Sequence, residues 1–221
     1  MKGRRPWAGG LACAFLSTTA TCADIPLYST GPSEDSAFVR FVNALPGAAP
    51  LAVDAASTRV ELGGLYSVSG YLPVQPGKSL EGTMNAQGQS VPLALGFSPG
   101  EFVTIIALPD AKAGLAQTTI RETPDDFNGL KASLAFFNTD ASCLDASLRP
   151  AGRNADIFNA VSLGSVQRRS INPVRLSVQL VCANSHAGST LDLGELKAGE
   201  RYSVFLLPGA KLLAITDSLT L

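Results

Sequence analysis

Pro99-Gly-Glu-Phe-Val-Thr-Ile-Ile-Ala-Leu-Pro-Asp-Ala-Lys112 aligns without a gap on Ala198-Gly-Glu-Arg-Tyr-Ser-Val-Phe-Leu-Leu-Pro-Gly-Ala-Lys211, and this repeat constrains the fold more than any other feature. Gly, Glu, Leu, Pro, Ala and Lys are identical in the two copies. In each, a Gly turn opens a run of β-favouring residues and a Pro closes it. Earlier in each half, Phe38-Val-Arg-Phe-Val-Asn43 has its counterpart in Ser133-Leu-Ala-Phe-Phe-Asn138. Both end in an Asn, whose side-chain amide satisfies turn geometry. Offsets of 95 and 99 residues, met in the same order, indicate a duplication.

Each copy runs for about 90 residues, the size of a sandwich of about seven short strands. In Arg201–Leu207, Tyr202, Val204 and Leu206 share one face, while Arg201 and Ser203 begin the other. Leu176-Ser-Val-Gln-Leu180 alternates in the same way, and turn signals recur at Gln75–Lys78 and Asn184–Gly188. Sustained helical periodicity with caps is absent. Thr123-Pro-Asp-Asp-Phe-Asn-Gly129 is polar and turn-rich. The expected class is all-β, with two tandem immunoglobulin-like β-sandwich domains from the internal duplication: residues 24–122 and 131–221, joined by a linker at 123–130.

Residues 1–23 read as a signal peptide. Lys2, Arg4 and Arg5 form a positive head, Trp7 to Ala20 is uncharged, and Thr21-Cys22-Ala23 sets small residues before a cut between Ala23 and Asp24. The lipoprotein pattern is only partly met around Cys13 and lacks its leucine before Cys22, and Gly3-Arg4-Arg5-Pro6-Trp7 fits a twin-arginine signal poorly. No later run approaches the ~20 apolar residues of a membrane span. Cleavage removes three basic residues and no acidic one, so 17 Lys and Arg against 18 Asp and Glu become 14 against 18. A mildly acidic surface of this kind does not attract nucleic acid. Of the four cysteines, Cys143 and Cys182 remain. In an exported protein a structural disulfide between them is the expected state, with a reactive thiol as the alternative.

Candidates for chemistry are few. His186 is the only histidine, placed in a turn-like Asn184-Ser-His-Ala-Gly188 where it has no triad or metal partners. No serine lies in a nucleophile-elbow pattern. Asp125 and Asp126 sit in the linker, and the repeat-matched Glu101 and Glu200 are expected to serve a turn before a strand. Gly63-Gly64 does not open a helix, so a phosphate loop is not expected. Arg168-Arg169 reads as a solvated loop. Phe136 and Phe137 must face opposite ways, leaving one either exposed or covered by the other half. No catalytic residue, cofactor or metal site is expected.

The stretches Leu27–Pro32, Ser36–Ala44, Ile171–Leu176 and the closing Tyr202–Leu207, met in this order, resemble the AlgF family of alginate O-acetylation proteins. The resemblance implies a periplasmic, non-enzymatic accessory protein of two β-sandwich domains. It would act beside a membrane-bound O-acyltransferase and an SGNH-type acetyltransferase, with the polymer itself a third candidate partner. Members similar in sequence are associated with cellulose acetylation as well as alginate. A carbohydrate-binding module without catalysis is the alternative, and it would need exposed aromatic side chains. An acetyl-carrying enzyme, the third reading, would need a nucleophile among Ser, Thr, Cys143 and Cys182.

Overall fold

The computed structural model describes residues 36–47, 49–55, 58–123, 128–183 and 185–220, and every regular element among them is a strand. The expected cleavage point between Ala23 and Asp24, the Leu27–Pro32 stretch and the Asp125-Asp126 pair lie outside the described residues.

The first half comprises β1 (Ala37–Asn43), β2 (Leu51–Ala55), β3 (Thr58–Leu62), β4 (Ser67–Val68), β5 (Leu72–Val74), β6 (Ser79–Ala86), β7 (Gln89–Gly96), β8 (Phe102–Asp110) and β9 (Gly114–Glu122). One sheet runs β4-β1-β8-β9, with β5 also on β1, and the other runs β3-β2-β6-β7. The second half comprises β10 (Ala132–Asn138), β11 (Asp145–Pro150), β12 (Phe158–Ser162), β13 (Ser165–Ile171), β14 (Val174–Cys182), β15 (Ser185–Leu196), β16 (Arg201–Leu207) and β17 (Lys211–Thr216). Its sheets run β13-β10-β16-β17 and β12-β11-β14-β15. The order repeats, with β4 and β5 together standing where β13 stands in the second half, and each half has a parallel pair: β1 on β8 and β10 on β16. The sequence repeats fall on these parallel pairs.

Each half buries a core between its two sheets. Val39, Phe41, Val53, Met84 and Ile105 fill the first, and Leu134, Phe136, Leu148, Leu180 and Val204 fill the second. A third core lies between the halves. Val42, Ile106 and Ile120 from the first meet Phe137, Phe205 and Leu207 from the second. The inner sheets therefore pack face to face, and the chain stacks four sheets in the order outer, inner, inner, outer. Because side chains alternate along a strand, β1 and β10 are buried on both faces.

This third core settles the Phe136–Phe137 alternatives. Phe136 enters the second sandwich, and Phe137 stacks on Phe205 across 4.7 Å in the seam, covered by the first half. It also changes the reading of β16. Tyr202, Val204 and Leu206 share a face as expected, but the opposite face, with Ser203, Phe205 and Leu207, is buried too.

The turns follow the expected chemistry. Gly100 and Gly199 adopt φ of 72° and 79°, a region glycine enters without penalty, and open β8 and β16. Asn43 Oδ1 accepts from Leu45 N–H, and Asn138 Oδ1 accepts from Asp140 N–H. Pro208 stands just past β16, whereas Pro109 lies inside β8. β1 pairs with β8 only as far as Ala107, so Pro109 has a single neighbouring strand and costs no ladder bond to β1.

Candidate functional site

Cys143 and Cys182 are joined, with an S–S distance of 2.00 Å and Cα atoms 5.5 Å apart. The bond ties the β10–β11 turn to the end of β14. Asn138 fixes that turn further, donating Nδ2–H to the carbonyls of Cys143 (2.7 Å) and Val161 (2.9 Å). Neither sulfur is a free thiol, so among the described residues an acyl group has no cysteine nucleophile.

His186 is exposed on β15, opposite Val181 and four residues beyond the end of β14, so it belongs to an edge strand rather than to the turn itself. Gly63-Gly64 joins β3 to β4. Glu101 and Glu200 both serve the turn before a strand. Glu101 is nearly buried; it accepts Ser98 N–H at 3.0 Å and both its oxygens lie 2.9 Å from Arg121 Nη1 on β9. Glu200 instead accepts the Tyr202 hydroxyl at 2.5 Å. Burial and this carboxylate together push the Tyr202 phenol up.

The Arg168-Arg169 reading is corrected. Both lie in β13, not in a loop, and Arg168 is largely buried against the seam. It donates through Nη2 to Glu122 Oε1 at 2.8 Å, and its Nη1 donates to Ser133 Oγ at 3.1 Å. The cause is the third core, which covers the face of β13 that would be solvated in a lone sandwich. Arg169 remains outside, donating to the Ile157 carbonyl.

Arg168 belongs to a charged network that sequence reasoning missed. Its centre is Arg40, fully buried in the middle of β1. The Nε of Arg40 donates to Thr104 Oγ1 (2.9 Å), Nη1 to Asp217 Oδ1 (2.7 Å) and Nη2 to Ser203 Oγ (3.0 Å). Ser203 Oγ–H in turn donates to Asp217 Oδ1 at 2.7 Å. The guanidinium lies 4.4 Å from the Tyr71 ring centroid and 5.0 Å from that of Phe205. Asp217 follows β17, so Arg40 joins the two halves directly. Arg168 Nη2 and Arg201 Nη2 extend the chain of charges, 3.4 Å from Asp217 and 3.5 Å from Glu122 respectively.

Three guanidinium groups here face two carboxylates. Burial pushes the Asp217 carboxyl up, but Arg40 and Arg168 outweigh it and hold the group below the usual carboxylate range. Burial disfavours charge on Arg168, and Glu122 and Asp217 overcome this. For Arg201, burial and the neighbouring Arg168 pull the guanidinium down. Tyr71, whose hydroxyl is buried without a hydrogen-bond partner, is pushed by burial to about 12. Chemically this network is a clamp. Ser203 is fully buried and its oxygen is already engaged, so no substrate reaches it.

The signal for this site was an arginine flanked by apolar residues in Phe38-Val-Arg-Phe-Val42, where the second copy has Ala135. Among the described residues, no group of three or more His, Cys, Asp and Glu side chains is placed to hold a metal ion, and no helix is long and apolar enough to cross a membrane.

No curated protein matches the chain. Among solved structures, a family 26 carbohydrate-binding module from Eubacterium rectale in complex with maltoheptaose is 9% identical, covering 82% of this chain and 97% of that one, at a TM-score of 0.27. A putative cell adhesion protein from Bacteroides ovatus is 10% identical, covering 84% and 97%, at a TM-score of 0.25. At those scores neither likeness bears on function. A family model described as alginate O-acetyl transferase AlgF matches residues 10–203, which spans every strand from β1 into β16 and takes in Arg40, Glu122, Arg168, Arg201 and Ser203 of the clamp; the chain belongs to the AlgF family.

Proposed function

We propose that this protein is an exported, non-catalytic accessory of exopolysaccharide O-acetylation. It works beside a membrane-bound O-acyltransferase and an SGNH-type acetyltransferase, which carry out the chemistry. Alginate is the polymer that the family points to, and cellulose is the second candidate. The signal peptide is removed between Ala23 and Asp24, placing the mature chain in the periplasm. Residues 24–122 and 131–221 act as one two-domain unit.

The observation that carries this reading is the family match across residues 10–203. The use of the buried polar groups supports it. Arg40, Glu122, Arg168, Ser203 and Asp217 bind one another across the seam, leaving a rigid body whose loops and outer sheets face partners. A carbohydrate platform would need an exposed ring, and every described Phe and Tyr is buried or half-buried.

The test is the O-acetyl content of the secreted polymer, measured by NMR in a strain lacking the gene and in a complemented strain. Polymer that is still made but loses its acetyl groups, and regains them on complementation, supports the role. Unchanged acetylation overturns it. Amino-terminal sequencing of the protein recovered from the periplasm should begin at Asp24.

A further inference from the structure

The two halves differ at one place where the sequence repeat breaks down. In the second half, β13 pairs with all seven residues of β10, from Ala132 to Asn138. In the first half that strand is split. β4 pairs with β1 at Val42 and Asn43, and β5 pairs at Ala37 to Val39. Between them Phe41 exchanges hydrogen bonds with Ser69, through the Ser69 backbone N–H and the Ser69 hydroxyl oxygen. The first sandwich carries a cavity of about 640 Å³ against β5, reaching inward to the core face of β1.

The lining is segregated. Val39, Phe41, Ala55 and Phe97 are buried core residues, and Val60, Leu72, Val74 and Leu80 are half-buried around them. The polar lining residues, Thr58, Gln75, Lys78, Ser79 and Thr220, are all exposed and form the rim. Among the described residues, Lys78 is the only charged one of the lining, and no carboxylate side chain is part of it. Thr220 arrives from the other half. Tyr71 N–H donates to the Ser218 carbonyl and Thr220 N–H donates to the Tyr71 carbonyl, both at 2.8 Å, which lays the C-terminal segment beside β5.

We infer that this cavity binds a single-chain amphiphile with an anionic head, of the fatty-acid class, its chain between the sheets and its carboxylate at Lys78. A volume of this size suits a small ligand. The apolar interior offers no side-chain partner for a peptide backbone, whose buried N–H and C=O groups would go unsatisfied, whereas an alkyl chain needs none. The lone cation at the rim selects the sign of the head group. The site is independent of the acetylation role, so its failure would leave the polymer result untouched.

Laurate below its micellar concentration, titrated calorimetrically into the full chain, tests this. The expected result is saturable binding of one laurate per chain with a negative heat-capacity change. Lys78→Glu, on the surface, should keep the unfolding temperature, weaken laurate about tenfold and strengthen dodecyltrimethylammonium. Val74→Trp, filling the cavity, should abolish binding of both. Equal affinity for the two head groups in the native protein, or laurate binding unchanged by Val74→Trp, overturns the inference. So does the absence of saturable binding. Co-sedimentation with phosphatidylglycerol vesicles without binding of monomeric laurate would assign the patch to a membrane surface instead, and would also overturn it.

Discussion

Arg40 is the residue most out of keeping with its neighbours in sequence, a full positive charge with no solvent exposure in a strand of Phe and Val. Such a burial is tolerated only because every nitrogen of the guanidinium is engaged and Asp217 supplies the counter-charge. Arg40→Ala leaves the buried Asp217 with only the Ser203 hydrogen bond and the longer Arg168 contact, and opens a void among the rings of Tyr71, Phe137 and Phe205. The expected loss is about 3–5 kcal/mol in urea unfolding. Arg40→Met paired with Asp217→Asn removes both charges while keeping the volume, and should recover much of that loss. Two neighbours set the pH dependence. The Asp217 carboxyl titrates below its unfolded value of about 3.9, so the stability it contributes is complete above that pH and is lost as pH falls through the folded value. Asp217→Asn should flatten the acid limb of stability against pH. Tyr71 works at the other end. Its folded value of about 12 exceeds the ordinary 10, so the unfolded chain ionises first and stability falls as pH rises from 10 to 12. Tyr71→Phe should remove that alkaline loss, about 2–3 kcal/mol. At neutral pH it should be neutral or slightly stabilising, because the hydroxyl lacks a partner. Denaturant melts of both variants at a series of pH values check these expectations.

At the scale of the element, the disulfide closes a stretch of 39 residues that includes β11, β12 and β13. Loop-closure entropy for such a span corresponds to about 4 kcal/mol. Reduction, or the Cys143→Ala, Cys182→Ala pair, should lower the unfolding free energy in urea by about that much without changing the strand content seen by circular dichroism. Local pattern made the strands themselves legible. β8 and β16 were visible from their Gly turns and β-branched runs, and the Asn caps of β1 and β10 from a side chain that bonds its own turn. Pairing of Cys143 with Cys182 followed from export and arithmetic. What lay beyond reach was anything set by the other half of the chain. Arg168 looks solvated in Gln167-Arg-Arg-Ser170 because local pattern cannot see that β9 and Glu122 lie against β13. Likewise the non-core face of β16, begun by Arg201 and Ser203, resembles a solvent face until the opposing sheet is placed on it. The clamp is assembled from residues up to 177 positions apart, so no window of sequence contains it. The split of β4 from β5 was equally silent, since Gly70 is one glycine among 21 and its role depends on Thr220, whose Oγ1 would sit 2.2 Å from an added Cβ.

For the whole molecule the question is whether the halves behave as one body or two. Tandem sandwiches on a polar linker are expected to melt separately when their contact is small and wet. Here the seam has its own apolar core, a buried ion network, and a C-terminal segment that leaves β17 and bridges to Tyr71 of the first half. Unfolding either half would expose Phe137, Phe205 and Ile106 and would strip Arg40 or Asp217 of its partner. Each half therefore stabilises the other by more than a marginal domain can lose. A single calorimetric transition is expected for the intact protein, with calorimetric and van't Hoff enthalpies in agreement. Phe137→Ala removes a ring from the seam without touching either sandwich core, and costs about 3–5 kcal/mol. In that variant, and more so in combination with Arg168→Ala, the transition should broaden or divide in two. The half closed by the disulfide should then be the later to melt, and reduction should reverse that order. One sharp transition that survives in the double variant would mean that cooperativity does not run through the seam, and the loop clusters at the two ends would then be free to engage partners independently.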